Sequence, residues 1–164
     1  TEAIDSNEAG ITRTTTTTLS PLIGFVLDLN AGLVVRGNFT TIDGLTHFGR
    51  NETDQKQRNR TLSIAIDYRL RPGIRFFGKK TNGDINARLQ FTRNTSRILI
   101  SRFGGDFQSN NGQNQNRLSV TTDYRFSRYI RGGLTVEFTN TQNVITQQKR
   151  VRRGGGLWTE FLFN

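Results

Sequence analysis

The chain contains no cysteine and no methionine, a single histidine and a single tryptophan, and two prolines in 164 residues. Without cysteine there are no disulfides, no thiolate metal sites and no cysteine nucleophiles. One histidine, His47, supplies neither a His cluster for a metal nor a Ser-His-Asp triad with spare members. Gly154-Gly155-Gly156 lacks the Lys-Ser/Thr that completes a phosphate loop, and the acidic residues are scattered rather than paired. No catalytic residue, cofactor or metal site is expected, and the chain reads as non-enzymatic. No apolar run reaches the ~18 residues that a transmembrane helix needs. The opening Thr1-Glu2-Ala3-Ile4-Asp5 has no basic or apolar leader, and the missing methionine reads as a mature chain or a fragment.

What is present points to strands. Only 33% of residues are hydrophobic, yet 10% are aromatic, with 12 Phe and 17 Gly. Disordered chains are poor in aromatics, so disorder explains this badly. A transmembrane barrel explains it well, because only alternate strand residues meet lipid. The net charge of +10 admits nucleic acid, anionic lipid or a positively lined pore as partner. The densest basic run, Lys149-Arg150-Val151-Arg152-Arg153, has neither stacking aromatics nor a recognisable module, so no nucleic acid is expected. At a barrel rim it would meet phosphates of lipopolysaccharide or other headgroups. As a plain solvated loop it would meet nothing.

Apolar residues recur at period two. Leu62, Ile64, Ile66, Tyr68 and Leu70 alternate with Ser63, Ala65, Asp67 and Arg69. Leu118, Val120, Thr122, Tyr124 and Phe126 alternate with Ser119, Thr121, Asp123 and Arg125. The pairs Leu62/Leu118, Asp67/Asp123, Tyr68/Tyr124, Arg69/Arg125 and Ile74/Ile130 make the two segments resemble each other. Repeated hairpins would produce this, and so would similar constraints on two unrelated strands. Further strands are predicted over the Thr-rich run into 19–28, over 33–40, 85–92 and 97–107 with a bulge at Gly104-Gly105, over 130–138, and over 150–163. Turns are expected at Asn30-Ala31-Gly32, Arg71-Pro72-Gly73 and Ser127-Arg128. Residues 48–60, 109–116 and 141–149 read as polar loops. The fold class is therefore all-β, an antiparallel up-and-down transmembrane β-barrel segment of about eight strands. Residues 1–164 form a single unit, the C-terminal part of a larger barrel.

Charge follows the same phase. Arg36, Arg69, Arg88, Arg125 and Arg131 fall on the polar phase of their strands, and Asp67 and Asp123 share it. An Arg facing lipid at the midplane costs ~2–4 kcal/mol, so these seven residues are expected to line a wet lumen. Tyr68, Phe91, Tyr124, Phe126, Tyr129 and Phe138 fall toward predicted strand ends, where an interfacial girdle would lie. In a soluble sheet the same aromatics would be core and the charges a solvent face.

Leu157, Thr159, Phe161 and Phe163 alternate toward the end, with Trp158 and Glu160 on the other phase. This resembles the terminal signature of outer-membrane proteins that the barrel-assembly machinery reads, displaced by one residue because Asn164 follows Phe163. A wider resemblance begins at Ser20-Pro21-Leu22-Ile23-Gly24 and continues through Leu27-Asp28-Leu29-Asn30-Ala31-Gly32-Leu33 and Arg36. Further along come Asp67-Tyr68-Arg69, the basic stretch 76–80, residues 86–91 with Asn94, Gly112-Gln113 and Tyr124. In this order they resemble the closing part of the SprA/Sov family. Its members are giant outer-membrane barrels that form the translocon of the type 9 secretion system in Bacteroidetes-like bacteria, also linked to gliding motility. The resemblance implies a location in the bacterial outer membrane and a share in a pore wall. It implies as partners secreted protein cargo and other secretion-system subunits, beside outer-membrane lipid and lipopolysaccharide. It transfers no individual pore residue. Two other readings stand beside it: a different outer-membrane barrel (lipopolysaccharide assembly, receptor or small porin-like), or a soluble basic β-protein that binds polyanions.

Overall fold

The computed structural model describes residues 2–7, 10–29, 32–49, 52–70, 75–76, 79–80, 83–125, 127 and 129–161. Ten strands are found there: β1 (Glu2–Asn7), β2 (Gly10–Leu29), β3 (Leu33–Phe48), β4 (Thr53–Leu70), β5 (Arg75–Phe76), β6 (Lys79–Lys80), β7 (Ile85–Arg102), β8 (Gln108–Arg125), β9 (Ile130–Asn143) and β10 (Lys149–Phe161). Eight of them build one sheet in the order β1-β2-β3-β4-β7-β8-β9-β10, and every neighbouring pair is antiparallel. The short pair β5 and β6 sits in the connection from β4 to β7. The architecture is all-β and up-and-down, with no α-helix among the described residues. Among the described residues no helix is long and apolar enough to cross a membrane, which says nothing of crossing by strands.

The sheet is a single open layer, with β1 and β10 at its two edges. No second layer packs across it among the described residues. Among the described residues no hydrophobic side chain is buried, and the buried polar ones are Ser101 and Thr139. Backbone pairing therefore organises the fold, and most of its apolar surface stays open.

The strands run much longer than their apolar alternation. β4 and β7 have 18 residues each and β2 has 20. Most of 48–60 belongs to β4, and 109–116 belongs to β8. Residues 97–102 complete β7 instead of forming a strand of their own. Residues 53–60 and 109–116 are polar on both faces, and 97–102 carries Ile98, Leu99 and Ile100 in succession, so no period-two pattern marks them. They still pair with the neighbouring strands, with one register shift between Ile98 and Leu99. The connections 49–52, 103–107 and 144–148 are correspondingly short, while the longest, 71–84, lies at the other end of the sheet. The expected contrast of short turns at one end and long polar loops at the other is replaced by strands that project past the apolar zone.

Local irregularities also differ from expectation. Gly104 lies in the turn after β7 at φ +70°, and the bulge falls between Ile98 and Leu99. A second irregularity in β2 lies between Leu19 and Ile23 and includes the cis Ser20–Pro21 peptide. At the β8–β9 turn the Ser127 hydroxyl accepts the backbone N–H groups of Tyr129 and Ile130, each at 3.1 Å. β1 was not anticipated from the sequence. Arg71-Pro72-Gly73, Asn30, Ala31, Ile74, Phe126, Arg128, Phe163 and Asn164 lie outside the described residues.

Candidate functional site: the two faces of the sheet

In an antiparallel ladder, directly paired residues share a face, so register assigns every side chain. One face carries rungs such as Val35–Ile66–Leu89–Val120–Val136 and Ile64–Phe91–Leu118–Phe138. Leu27 and Leu29 extend it on β2, and Leu157 and Phe161 on β10. These side chains meet no second layer: Ile23 is 66% exposed and Leu157 85%. On β4 the apolar stretch from Leu62 to Leu70 is about 26 Å long at ~3.3 Å per residue. With a strand tilt of about 40° this becomes roughly 20 Å, near the ~25 Å apolar band of an outer-membrane barrel.

The band crosses the rungs obliquely. Its upper border is Leu62 on β4, but Leu62 pairs with Arg93, and Phe91 is the border on β7. Phe138 on β9 pairs with Arg153, and Leu157 is the first large apolar residue of that face beyond it on β10. A tilted strand array produces such a drift. Phe91 and Phe138 mark this upper border, with Phe39 beside them, and lie in mid-strand, not at strand ends as expected for these two, because the strands continue. Tyr68 and Tyr124 mark the lower border near the turns, and Tyr129 lies in the turn before β9.

The opposite face is hollow and mostly polar, with Val26, Ile42, Ile98 and Ile100 among its side chains. A cavity of about 760 Å³ spans β7 to β10, among Asn94, Gln115, Arg117, Glu137, Thr139 and Arg152. Another of about 610 Å³ spans β3 to β8, among Arg36, Asp67, Arg69, Arg88, Ser119 and Asp123. Hollows spread over four strands on one side mean that the sheet curves toward its polar face.

All seven predicted lumen residues stand on that concave face. Arg36 and Arg88 both bond to Asp67; the Arg88 Nε donates to Asp67 Oδ1 at 2.5 Å. Arg69 is apart from them and donates to Asp84 Oδ2 at 2.9 Å. Asp123 stands opposite Asn86 and Gly133. Arg125 stands directly opposite Arg131, whose Nε donates to Glu160 Oε2 at 2.5 Å. Asp84, Arg117, Glu137 and Glu160 were not singled out from the sequence. Arg117 donates to Glu137 Oε2 at 2.6 Å, and its place one residue before Leu118 was the available signal. These pairs are half-exposed, so each adds little to stability, ~0–1 kcal/mol. Together they set ion pairs at intervals along the concave face.

The basic run 149–153 does not act as one patch. Lys149, Val151 and Arg153 share the apolar face, while Arg150 and Arg152 share the concave one. His47 Nδ1 lies 2.6 Å from Asp54 Oδ1 at the polar end of the band face, and no metal-binding cluster gathers among the described residues.

Neither a scan against protein-family models nor a search of curated proteins returns a match for this chain.

Proposed function

We propose that this chain is a wall segment of an outer-membrane β-barrel, the C-terminal part of a protein-secretion translocon of the SprA/Sov type. One observation carries the reading: a sheet with no buried hydrophobic side chain among the described residues, whose convex side carries a continuous apolar band and whose concave side is mostly polar and charged. Leaving that band in water is strongly unfavourable, since burial is worth ~25 cal/mol per Å² of apolar surface. Lipid covers it without a second protein layer. Edges at β1 and β10 do not persist in hydrocarbon, where every backbone group needs a partner, so further strands close the wall. An eight-stranded barrel fills with its own side chains, and a conduit for protein cargo therefore needs a larger ring. On this reading the chain is non-catalytic. Its partners are outer-membrane lipid and lipopolysaccharide, secreted cargo, the other subunits of the secretion system and the barrel-assembly machinery.

Fractionation tests the class. The full-length protein carrying this sequence is expected to stay in membranes through an alkaline wash and to leave only with detergent. Recovery in the aqueous phase without detergent would replace the barrel by the soluble polyanion-binding reading. Secretion tests the finer proposal: depletion is expected to trap folded cargo in the periplasm. Normal export with a membrane-bound product would favour a different outer-membrane barrel.

A further inference from the structure

Above the apolar band, on the same convex face, β4 and β7 carry four arginines: Arg58, Arg60, Arg93 and Arg97. Arg93 pairs with Leu62, the last apolar residue of β4, so the cluster begins where the band ends. Arg58 stands directly opposite Arg97, and Arg60 lies diagonal to both Arg93 and Arg97. Like charges placed directly across a ladder destabilise a sheet. One carboxylate reaches the group, Asp43, whose Oδ1 lies 3.2 Å from Arg58 Nε. Arg97 spends Nη1 on the neutral oxygens of Ser96 and Asn114, both at 3.3 Å. Arg60 and Arg93 are exposed. Such crowding calls for an anion from outside the chain.

We propose that this cluster binds the phosphate groups of a multiply phosphorylated outer-leaflet lipid of the lipid A type. The proposal rests on the barrel reading, which puts the band in hydrocarbon and the next rungs at headgroup level. Guanidinium groups pair with phosphate through two parallel hydrogen bonds, a geometry that lysine lacks. Four cations against one carboxylate exceed what a single phosphodiester neutralises, which favours a lipid with two phosphates over a glycerophospholipid. The lipid's acyl chains would then lie along Leu62, Ile64, Leu89 and Phe91, directly below the cluster.

The test uses the full-length protein in detergent, with native mass spectrometry to count bound lipid. The probes are bisphosphorylated lipid A, monophosphoryl lipid A and phosphatidylglycerol. Arg60→Gln with Arg93→Gln is expected to weaken binding of bisphosphorylated lipid A by about tenfold or more, the equivalent of ~1.4 kcal/mol. Arg102→Gln with Arg150→Gln removes the same charge from the concave face and should leave binding unchanged. Arg60→Lys with Arg93→Lys should retain an intermediate affinity, which separates lost lipid contact from misfolding. Equal binding by wild type and the Gln pair, or a preference for phosphatidylglycerol, would overturn the proposal and leave the barrel intact. A protein that needs no detergent would remove the barrel reading itself.

Discussion

At the scale of single residues, consecutive positions on one strand lie on opposite faces of the sheet, which on the barrel reading meet different solvents. Val120 lies mid-band between Leu89 and Val136, whereas Ser119 lies between Gln90 and Glu137 on the concave face. Val120→Arg should cost ~2–4 kcal/mol, since an arginine at the bilayer midplane has no water to keep. Ser119→Arg keeps its charge on the polar concave face, where Glu137 already holds Arg117, and should cost about 1 kcal/mol or less. The folded fraction recovered from outer membranes measures both, and equal tolerance would contradict the facing assigned here. Asp67 is a poorer site for this comparison, because it already holds Arg36 and Arg88. Reversing its sign would gather three guanidinium groups.

At the scale of strands, two glycines accept aromatic rings from the neighbouring strand in different ways. A Cβ on Gly37 would lie 2.3 Å from the Phe25 ring, whose exposed position lets it swing aside. A Cβ on Gly133 would lie 2.3 Å from the backbone oxygen of Thr122 and 2.7 Å from Trp158 Nε1. The carbonyl belongs to the ladder and has nowhere to go. Gly133→Val should therefore destabilise by roughly 2–3 kcal/mol and Gly37→Val by about 1 kcal/mol or less, within the range for overpacking. Urea midpoints of the protein folded into vesicles would rank them; the reverse order would show that the Phe25 ring is the more rigid obstacle. Strand length is also settled at this scale. Residues 53–61 and 109–116 alternate nothing apolar, so they look like loops to any reading that follows hydrophobic period. Hydrogen-bond pairing does not need that period, and it carries Arg58, Arg60, Arg93 and Arg97 onto the band face beyond the apolar zone.

At the scale of the whole molecule, these 164 residues contain no cysteine, so single cysteines placed in them report cleanly once any cysteine elsewhere in the full-length protein is replaced. Single cysteines at Leu134, Thr135 and Val136 should react with a water-soluble maleimide at Thr135 only, when the full-length protein is in membranes. Leu134 and Val136 share the apolar band, and Thr135 lines the larger hollow. Uniform labelling of the three would mean that neither face meets lipid, and a helix-like pattern would contradict the sheet.

The order of the lower halves of the strands, their antiparallel sense and the common side of Arg36, Asp67, Arg69, Arg88, Asp123, Arg125 and Arg131 follow from the residues alone. Alternation is a local property, and a strand's two faces are written into neighbouring letters. Three things needed the folded sheet. These are the length of the strands past the band, the partners Asp84, Glu137 and Glu160, and the curvature toward the polar side. Each depends on register between segments distant in sequence, and register is a property of pairs that no single segment contains.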